Sequence, residues 1–162
     1  MVFTDKIESK LFQLNDLLKR IEFWRRLGDK IVFTNGCFDI VHQGHAHLLA
    51  SCSEMGERLI IGLNSDSSVK RLKGKDRPVN DEQSRAVVLA AMQFTDAIII
   101  FEEDTPEALI HAIKPDILVK GGDWKPDEIV GSAFVKSYGG LVKTVPYLKG
   151  FSTTGIIQRS KG

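Results

Sequence analysis

The sequence predicts an α/β protein with a Rossmann-like, doubly wound parallel sheet of five strands and helices on both faces. Short apolar runs alternate along the chain with longer segments of helical periodicity, which is typical of strand–helix–strand units. The runs are almost continuously apolar, as expected for strands that are covered on both faces. Polar segments follow several of these runs, and parallel sheets bind their ligands at the carboxyl ends of the strands.

The first predicted element is a helix over residues 5–27, which Gly28 ends as the expected C-cap. It carries no catalytic motif, so we expect residues 1–28 to pack on the main domain, 29–162, or on a partner subunit. Its apolar residues, with the aromatic Phe12, Phe23 and Trp24, exceed what one narrow stripe requires. We therefore expect a homodimer that uses this helix, the alternative being that the helix only folds back across its own sheet.

The remaining elements alternate regularly. The predicted strands are residues 31–34, 59–63, 97–101, 117–119 and 141–145. Helical patterns between them cover residues 45–55, 81–92 and 106–113, with shorter pieces around 126–138. Neither an internal repeat nor a low-complexity linker interrupts this order, so a second domain is not expected.

The composition limits the classes of function. With 162 residues, 43% apolar and 27% charged, the chain is long enough for one globular domain with a substantial core. A net charge of +1 argues against a broad nucleic-acid-binding face. The two cysteines fit a reducing compartment, and no apolar run is long enough for a membrane span. We therefore expect a cytoplasmic protein that binds neither nucleic acid nor membrane.

The most informative segment is residues 36–45, GCFDIVHQGH, directly after the first predicted strand. A strand that ends in this glycine-bearing loop brings His42 and His45 to the start of the next helix. Unpaired backbone N–H groups at a helix N-terminus attract phosphate, and the two imidazoles can hydrogen-bond the same oxygens. The segment therefore predicts a nucleotide-binding loop.

The histidines of this segment, together with His47, raise the alternative of a metal site. Zinc-binding helices present their ligands one turn apart and add a further carboxylate, histidine or cysteine. Histidine spacings of three and two residues, with no third ligand nearby, fit that geometry poorly. We therefore expect no metal held by protein ligands alone, and we interpret His47 as structural.

A second phosphate-binding segment is predicted at residues 150–157, GFSTTGII, after the last strand. One hydroxyl at an N-cap indicates only that a helix begins. Here Ser152, Thr153 and Thr154 are consecutive, and the first turn has no acidic residue to complement the helix dipole. Both details favour bound phosphate.

The sequence TNGCFD followed by HQGH resembles the signature of the nucleotidyltransferase superfamily, and the STT segment resembles its second motif. Members of the superfamily include cytidylyltransferases, pantetheine-phosphate adenylyltransferase and class I aminoacyl-tRNA synthetases. The resemblance implies that residues 29–162 form a nucleotidyltransferase domain in which His42 and His45 are catalytic. The implied nucleotide-binding residues are Asn35, Gly36, Phe38, Gly44, Lys120, Gly121, Ser152, Thr153 and Thr154.

A basic segment, residues 69–80 with sequence VKRLKGKDRPVN, follows the second strand. Such a run is usually a solvated loop, but a mobile flap at the ligand end can neutralise a triphosphate in the transition state. We expect Lys73 to be catalytic and Arg77 to contact the substrate. Arg85 shares a helical face with apolar residues, so one alternative is that its stem covers the core. The other, which related cytidylyltransferases imply and which we favour, is that its guanidinium contacts the substrates.

Later segments narrow the resemblance. KRLKG with RPVN, FEEDTP and KPDILVKGGDWKP, together with the STT helix, look like the adenylyltransferase half of the bifunctional heptose kinase/adenylyltransferases of lipopolysaccharide core synthesis. The chain has no room for the kinase half, so we expect a stand-alone domain supplied by a separate heptose kinase. The resemblance implies transfer of AMP from ATP to D-glycero-β-D-manno-heptose 1-phosphate, with Mg²⁺ carried on the triphosphate. Asp39, Asp66 and Asp123 follow strands and are candidates for binding sugar hydroxyls or metal.

One departure bears on the choice between relatives. Glycerol-3-phosphate cytidylyltransferases carry an arginine shortly before the STT motif, whereas Tyr147, Leu148 and Lys149 occupy that stretch here. Lys149 can supply the charge but not a bidentate fork. A cytidylyltransferase acting on glycerol 3-phosphate or a similar small phosphate therefore stays as the alternative. A non-catalytic nucleotide sensor is disfavoured, because both histidines and the Ser–Thr pair are present.

Overall fold

The computed structural model describes residues 3–148 and 150–160, and its sheet confirms the predicted fold class. Five parallel strands lie in the order β3-β2-β1-β4-β5. Each predicted strand is present, and the strands are β1 (Ile31–Gly36), β2 (Arg58–Asn64), β3 (Ala97–Phe101), β4 (Ile117–Gly121) and β5 (Leu141–Val145). The strand order reverses between β1 and β4, so this doubly wound sheet has its ligand crevice at the carboxyl ends of those strands.

The helices cover both faces of the sheet. They are α1 (Phe3–Glu8), α2 (Leu14–Arg26), α3 (Gln43–Ser53), α4 (Asp66–Lys73), α5 (Glu82–Ala90), α6 (Glu107–Ile113), α7 (Ser132–Ser137) and α8 (Thr153–Ser160), with a 3₁₀ turn at Pro126–Glu128. Helix α4 lies in a region that the sequence pattern did not predict as helical. It begins where the Ser65 hydroxyl accepts a hydrogen bond from the backbone N–H of Ser68, at 3.2 Å.

Alternation along the strands divides the core into two layers. Ile31 and Phe33 of β1 face the layer formed with α2, α6 and α7, whereas Val32 faces the layer formed with α3 and α5. All three side chains are fully buried. Because successive strand residues point to opposite faces, an almost continuously apolar strand is needed to supply both layers.

The N-terminal segment differs from the single helix predicted for residues 5–27. Helix α1 ends at Glu8, and Lys10–Phe12 then joins the edge of the sheet: Ile98 N–H donates to the Lys10 carbonyl at 2.8 Å, and Phe12 N–H donates to the Ile98 carbonyl at 2.9 Å. The edge strand β3 leaves backbone groups to be paired, and this demand overrides the local helical spacing.

Helix α2 packs on its own sheet and ends as predicted. Leu17, Ile21 and Trp24 are buried in the core against the sheet and α6. Gly28 adopts φ +86°, which allows Asp29 N–H to donate to the Trp24 carbonyl at 3.1 Å. This left-handed residue after the last turn satisfies carbonyls that would otherwise remain unpaired.

Candidate active site

The loop after β1 begins helix α3 with an imidazole in place of the usual hydroxyl or carboxylate cap. His42 is the N-cap residue, and its Nδ1 accepts a hydrogen bond from the backbone N–H of Gly44 at 3.1 Å. Since Nδ1 is an acceptor in this contact, the proton of the neutral ring lies on Nε2. A Cβ at position 44 would lie 3.0 Å from Cε1 of His42, so a side chain there would crowd the ring.

His45 lies one turn further on and stacks against the first imidazole. The ring centroids of His42 and His45 are 3.9 Å apart, and the ring of Phe38 lies 5.0 Å from His45 at a tilt of 57°. Phe38 adopts φ 44°, an unfavourable conformation for a residue with a bulky side chain, and it is only 4% exposed. Among the described residues, none hydrogen-bonds the buried Nδ1 of His45.

Both imidazoles are neutral at physiological pH. Burial lowers the pKa of His45 to about 4; the nearby His42 adds to the decrease, and the Ile40 backbone opposes it. Burial also lowers the pKa of His42 below its ordinary value. The pair therefore offers N–H donors, rather than positive charges, to an incoming anion.

Helix α8 begins beside helix α3, so the two phosphate-binding segments predicted from sequence meet in space. Ser152 caps α8 by accepting a hydrogen bond from Gly155 N–H at 3.0 Å. The Thr153 hydroxyl donates to the carbonyl of Ile40, in the histidine loop, at 3.3 Å. A Cβ on Gly44 would lie 3.5 Å from Cβ of Phe151, which measures how closely the two helix starts approach. Thr154 is exposed in the same first turn.

Cationic side chains surround the same strand ends. Lys120 lies at the end of β4 and is largely buried; its Nζ contacts Oδ1 of Asn35 at 3.4 Å, and burial lowers the pKa of its ammonium. Burial raises the pKa of the Cys37 thiol, and the charges of Lys73, Arg85, Lys120 and Arg77 oppose that increase. The charges of these four side chains therefore act together on the loop between β1 and α3, although Lys73 itself is exposed at the end of α4.

Glycines keep this end of the sheet narrow. A Cβ on Gly36 would lie 3.0 Å from the Phe38 ring, and one on Gly121 would lie 3.1 Å from Cδ2 of Leu48 in α3. Side chains at these positions would crowd Phe38 and Leu48. Both predicted glycines thus border the crevice between β1 and β4.

Four residues predicted to bind substrate bind the protein itself in this structure. Asp39 pairs with Arg77, and Arg85 pairs with Asp66 at 2.8 Å. The partners are 38 and 19 residues apart along the chain, so sequence spacing could not reveal these pairs. The predicted substrate contacts of these four side chains stay predictions, because pairs within the protein do not test them. Neither predicted alternative for Arg85 describes a guanidinium that is itself buried, as it is here. The pattern also missed Asn80, which donates to the Asp39 carbonyl at 2.9 Å.

The other predicted residues lie at the rim or beyond the described part of the chain. Asp123 is exposed just after β4, where Tyr147 packs against Gly122. His47 is exposed on α3 and takes no part in the stacked pair of rings. Lys149, considered above as a substitute for an arginine, lies outside the described residues.

A comparison with protein families places this geometry in a known group. The family model described as cytidylyltransferase-like matches residues 33–159, from β1 to the last described helix. The chain belongs to the cytidylyltransferase-like family. It therefore contains a nucleotidyltransferase domain, and the stacked histidines and the start of α8 both lie within the matched residues.

Similar proteins agree with this assignment. The chain is 51% identical over 151 residues to the bifunctional protein HldE of Methylobacillus flagellatus, which covers 93% of the chain and 31% of that protein. It is 53% identical over 139 residues to the bifunctional protein HldE of Bradyrhizobium diazoefficiens, which covers 86% of the chain and 28% of that protein. The chain thus spans about a third of the length of the curated relatives that it matches.

A solved structure shares the fold of this cytidylyltransferase-like domain. The lipopolysaccharide core biosynthesis protein from Thermoplasma volcanium superimposes with a TM-score of 0.62 at 32% identity, covering 76% of this chain and all of that one. In the described part of the chain, no helix is long and apolar enough to cross a membrane.

Metal binding at this cytidylyltransferase-like site depends on which side chains are placed to act as ligands. Among residues 3–148 and 150–160, no group of three or more His, Cys, Asp or Glu side chains could hold a metal ion. The carboxylates nearest the histidine loop, Asp39 and Asp66, are paired with arginines. Mg²⁺ retains waters readily and binds phosphate oxygens, so it does not require a protein cage at such a site.

Proposed function

We propose that this domain transfers AMP from ATP to D-glycero-β-D-manno-heptose 1-phosphate, forming ADP-heptose and pyrophosphate. The observation that carries the proposal is the meeting of two helix N-termini beside a stacked pair of neutral imidazoles. The choice of acceptor rests on the sequence resemblance described above. The chain is 51% identical to one HldE protein and is similar to a lipopolysaccharide core biosynthesis protein. Both likenesses support that choice.

The reaction needs positioning and charge stabilisation more than proton transfer. A 1-phosphate oxygen of the sugar attacks the α-phosphorus of ATP and forms a new P–O bond. The bond between the α-phosphorus and its bridging oxygen to the β-phosphate breaks, and its electron pair leaves with pyrophosphate. The attacking oxygen is already ionised at neutral pH, so a general base is unnecessary, and the barrier falls through orientation and electrostatic stabilisation.

Residues of the site divide this work. The Nε2–H of His42 donates to a phosphate oxygen as charge develops, and the ring of His45, stacked on that of His42, supplies the second imidazole of the site. Lys73 adds positive charge from the end of α4, and the first turn of α8 binds the outer phosphates through its hydroxyls and backbone N–H groups. Mg²⁺ carried on the triphosphate would supply further positive charge there, and phosphate oxygens and water rather than protein side chains would hold it.

A matrix of nucleotides and acceptors tests the proposal. Pyrophosphate release is measured with ATP or CTP, each combined with the heptose 1-phosphate or glycerol 3-phosphate. We expect turnover only with ATP and the heptose phosphate, unchanged in the control His47→Ala, whose ring is exposed on α3. Turnover with CTP and glycerol 3-phosphate would favour the cytidylyltransferase alternative, and ATP binding without turnover on either acceptor would favour a sensor.

The oligomeric state, the cellular compartment and the source of the sugar phosphate are further parts of the proposal. We propose a homodimer acting in the cytoplasm, with a separate kinase supplying the sugar phosphate. Because α2 contributes Leu17, Ile21 and Trp24 to the core, the surface left for a partner is its outer side, where Phe23 and Leu27 are 52% and 60% exposed.

Sedimentation velocity tests the dimer without deleting the helix. We expect the chain to sediment as a dimer and Phe23→Glu to shift it to a monomer. A charge-matched variant on α5, Val87→Glu, is the control, since it also replaces an exposed apolar side chain. A monomeric mass of the unmodified chain at all micromolar concentrations would contradict the proposal.

A further inference from the structure

The carboxylate of Asp39 is fully engaged by one segment of the chain. Asp39 is 2% exposed although it lies between the phosphate-binding histidines and the end of β1. One oxygen pairs with Nε of Arg77; the other accepts from the backbone N–H groups of Val79 and Asn80, at 2.7 and 3.2 Å. The Asn80 amide donates to the Asp39 carbonyl at 2.9 Å. Such a carboxylate has little capacity left for a sugar hydroxyl.

Arg85 holds the same segment from the other side. It is 1% exposed, and each of its three nitrogens donates to the protein. Nε donates to the Asn80 carbonyl at 3.0 Å, Nη1 to the Cys37 carbonyl at 2.5 Å, and Nη2 to Oδ1 of Asp66 at 2.8 Å. Planar guanidinium groups hold such fixed arrangements well, because their donors point in set directions.

Together the two side chains fasten residues 66–80 at both ends. Arg85 binds the first residue of α4 and the last residue of the segment, and Asp39 binds Arg77, Val79 and Asn80. Asp39 itself belongs to the histidine loop, and Arg85 contacts the carbonyl of Cys37 in the same loop. Lys73 lies in the middle, exposed, and followed by Gly74 at φ +102° with open space around it.

We infer that Asp39 is a positioning residue that holds the Lys73-bearing segment against the histidine loop, and that it does not contact the substrate. Charged groups buried with all their partners satisfied form a rigid network, whereas removal of one partner releases the others. The effect on catalysis rests on the proposed function, since it assumes that Lys73 acts on the triphosphate. The structural half of the inference does not depend on any substrate.

Limited trypsin digestion tests the structural half. Asp39→Asn keeps the shape of the side chain and removes its charge. We expect the segment to open locally more often in this variant, so that trypsin cleaves after Lys73 and Lys75 about tenfold faster. Mass spectrometry of the fragments measures the rate of cleavage. The matched control is Asp16→Asn, which breaks the exposed pair with Lys19. Unchanged cleavage after Lys73 and Lys75, in a variant that melts as a folded protein, would overturn the inference.

A double-mutant cycle tests the catalytic half. We expect Asp39→Asn to lower kcat by about tenfold in the unmodified background, but by less than about twofold when Lys73 is already Met, because coupled residues are not additive. Full additivity would mean that Asp39 acts directly on the substrate and would overturn the inference.

A second variant covers the case in which Asp39→Asn does not fold. Asn80→Ala keeps the carboxylate and removes only the side-chain link to the Asp39 carbonyl. We expect the same direction of change in tryptic cleavage with a smaller size, and no change would again count against the inference. Absence of any adenylyl transfer by the unmodified chain would refute the proposed function while leaving the digestion result decisive.

Discussion

Helices α3 and α8 begin differently from helices α4 and α5. The first turns of α4 and α5 contain the carboxylates of Asp66 and Glu82, and the cap of α5 is Asp81, whose side chain accepts from Ser84 N–H at 2.8 Å. The first turns of α3 and α8 contain no acidic residue, and their caps are His42 and Ser152. All four helices follow strands or loops at the same domain surface, so what distinguishes their N-termini is the charge of the first turn.

A helix N-terminus that carries its own carboxylates has its positive end neutralised from within. The starts of α4 and α5 are therefore satisfied by the protein, and Glu82 even accepts from the backbone N–H of Asp66 at 2.8 Å. The starts of α3 and α8 have no carboxylate in their first turns, so their positive ends are not neutralised in this way. The following predictions test whether this contrast separates helix starts that bind a ligand from those that serve the fold.

The largest effect should come from removing the imidazoles at the start of α3. We expect His42→Ala or His45→Ala to lower kcat by roughly 10²-fold or more, with ATP affinity within about tenfold, because these contacts strengthen in the transition state. Steady-state kinetics and equilibrium ATP binding measure the two quantities. His47→Ala on the same helix is the control, and an unchanged kcat in both imidazole variants would contradict the assignment.

Acid should weaken the fold through the same imidazoles. Burial lowers the pKa of folded His45 to about 4 from an ordinary value of 6.5, so the unfolded state binds more protons between these values. The stability that comes from keeping His45 neutral is complete above about pH 6.5 and is lost as the pH falls toward 4. The total loss is on the order of 3 kcal/mol.

His45→Gln cannot titrate at this position, and denaturant unfolding near neutral pH and near pH 4.5 measures the difference. We expect the variant to lose about 2 kcal/mol less free energy of unfolding on acidification than the unmodified chain does. His47→Gln should behave like the unmodified chain. An equal loss in all three proteins would show that His45 does not control this change.

A carboxylate placed in the first turn of α3 should convert it into a helix start of the other kind. We expect Gln43→Glu to raise the KM for ATP by about tenfold through repulsion of the triphosphate, while adding about 0.3–1 kcal/mol of stability through the dipole. Gln83→Glu in the first turn of α5 is the matched control, which should add stability without changing KM. The same KM in both variants would remove the distinction between the helix starts.

The smallest effects should separate the hydroxyls of α8. We expect Thr153→Ala to raise the KM for ATP by about threefold with little change in kcat, because ground-state phosphate contacts affect substrate binding. Ser152→Ala removes the cap and should cost about 1 kcal/mol of stability. Kinetics and thermal unfolding of both variants distinguish these roles. If Thr153→Ala lowers only stability, its hydroxyl serves the fold through its hydrogen bond to Ile40.

The sequence by itself determined the features that depend on local pattern. Apolar runs such as residues 31–34 predicted the strands, because burial on both faces demands them, and Gly28 predicted the end of α2 through its tolerance of positive φ. The histidine and hydroxyl segments could be predicted because both stand at strand–helix junctions, where chain order alone places them at one edge of the sheet.

Only the tertiary structure decided which charged groups pair with other parts of the protein. In the sequence, Asp39 and Arg85 look like site residues. In the structure their partners come from distant positions, and because both side chains are buried, their charges have to be paired. The break between α1 and α2 has the same origin, since the demand comes from Ile98 at the sheet edge. Local spacing records what a segment can form, whereas unpaired groups elsewhere in the fold decide what it does form.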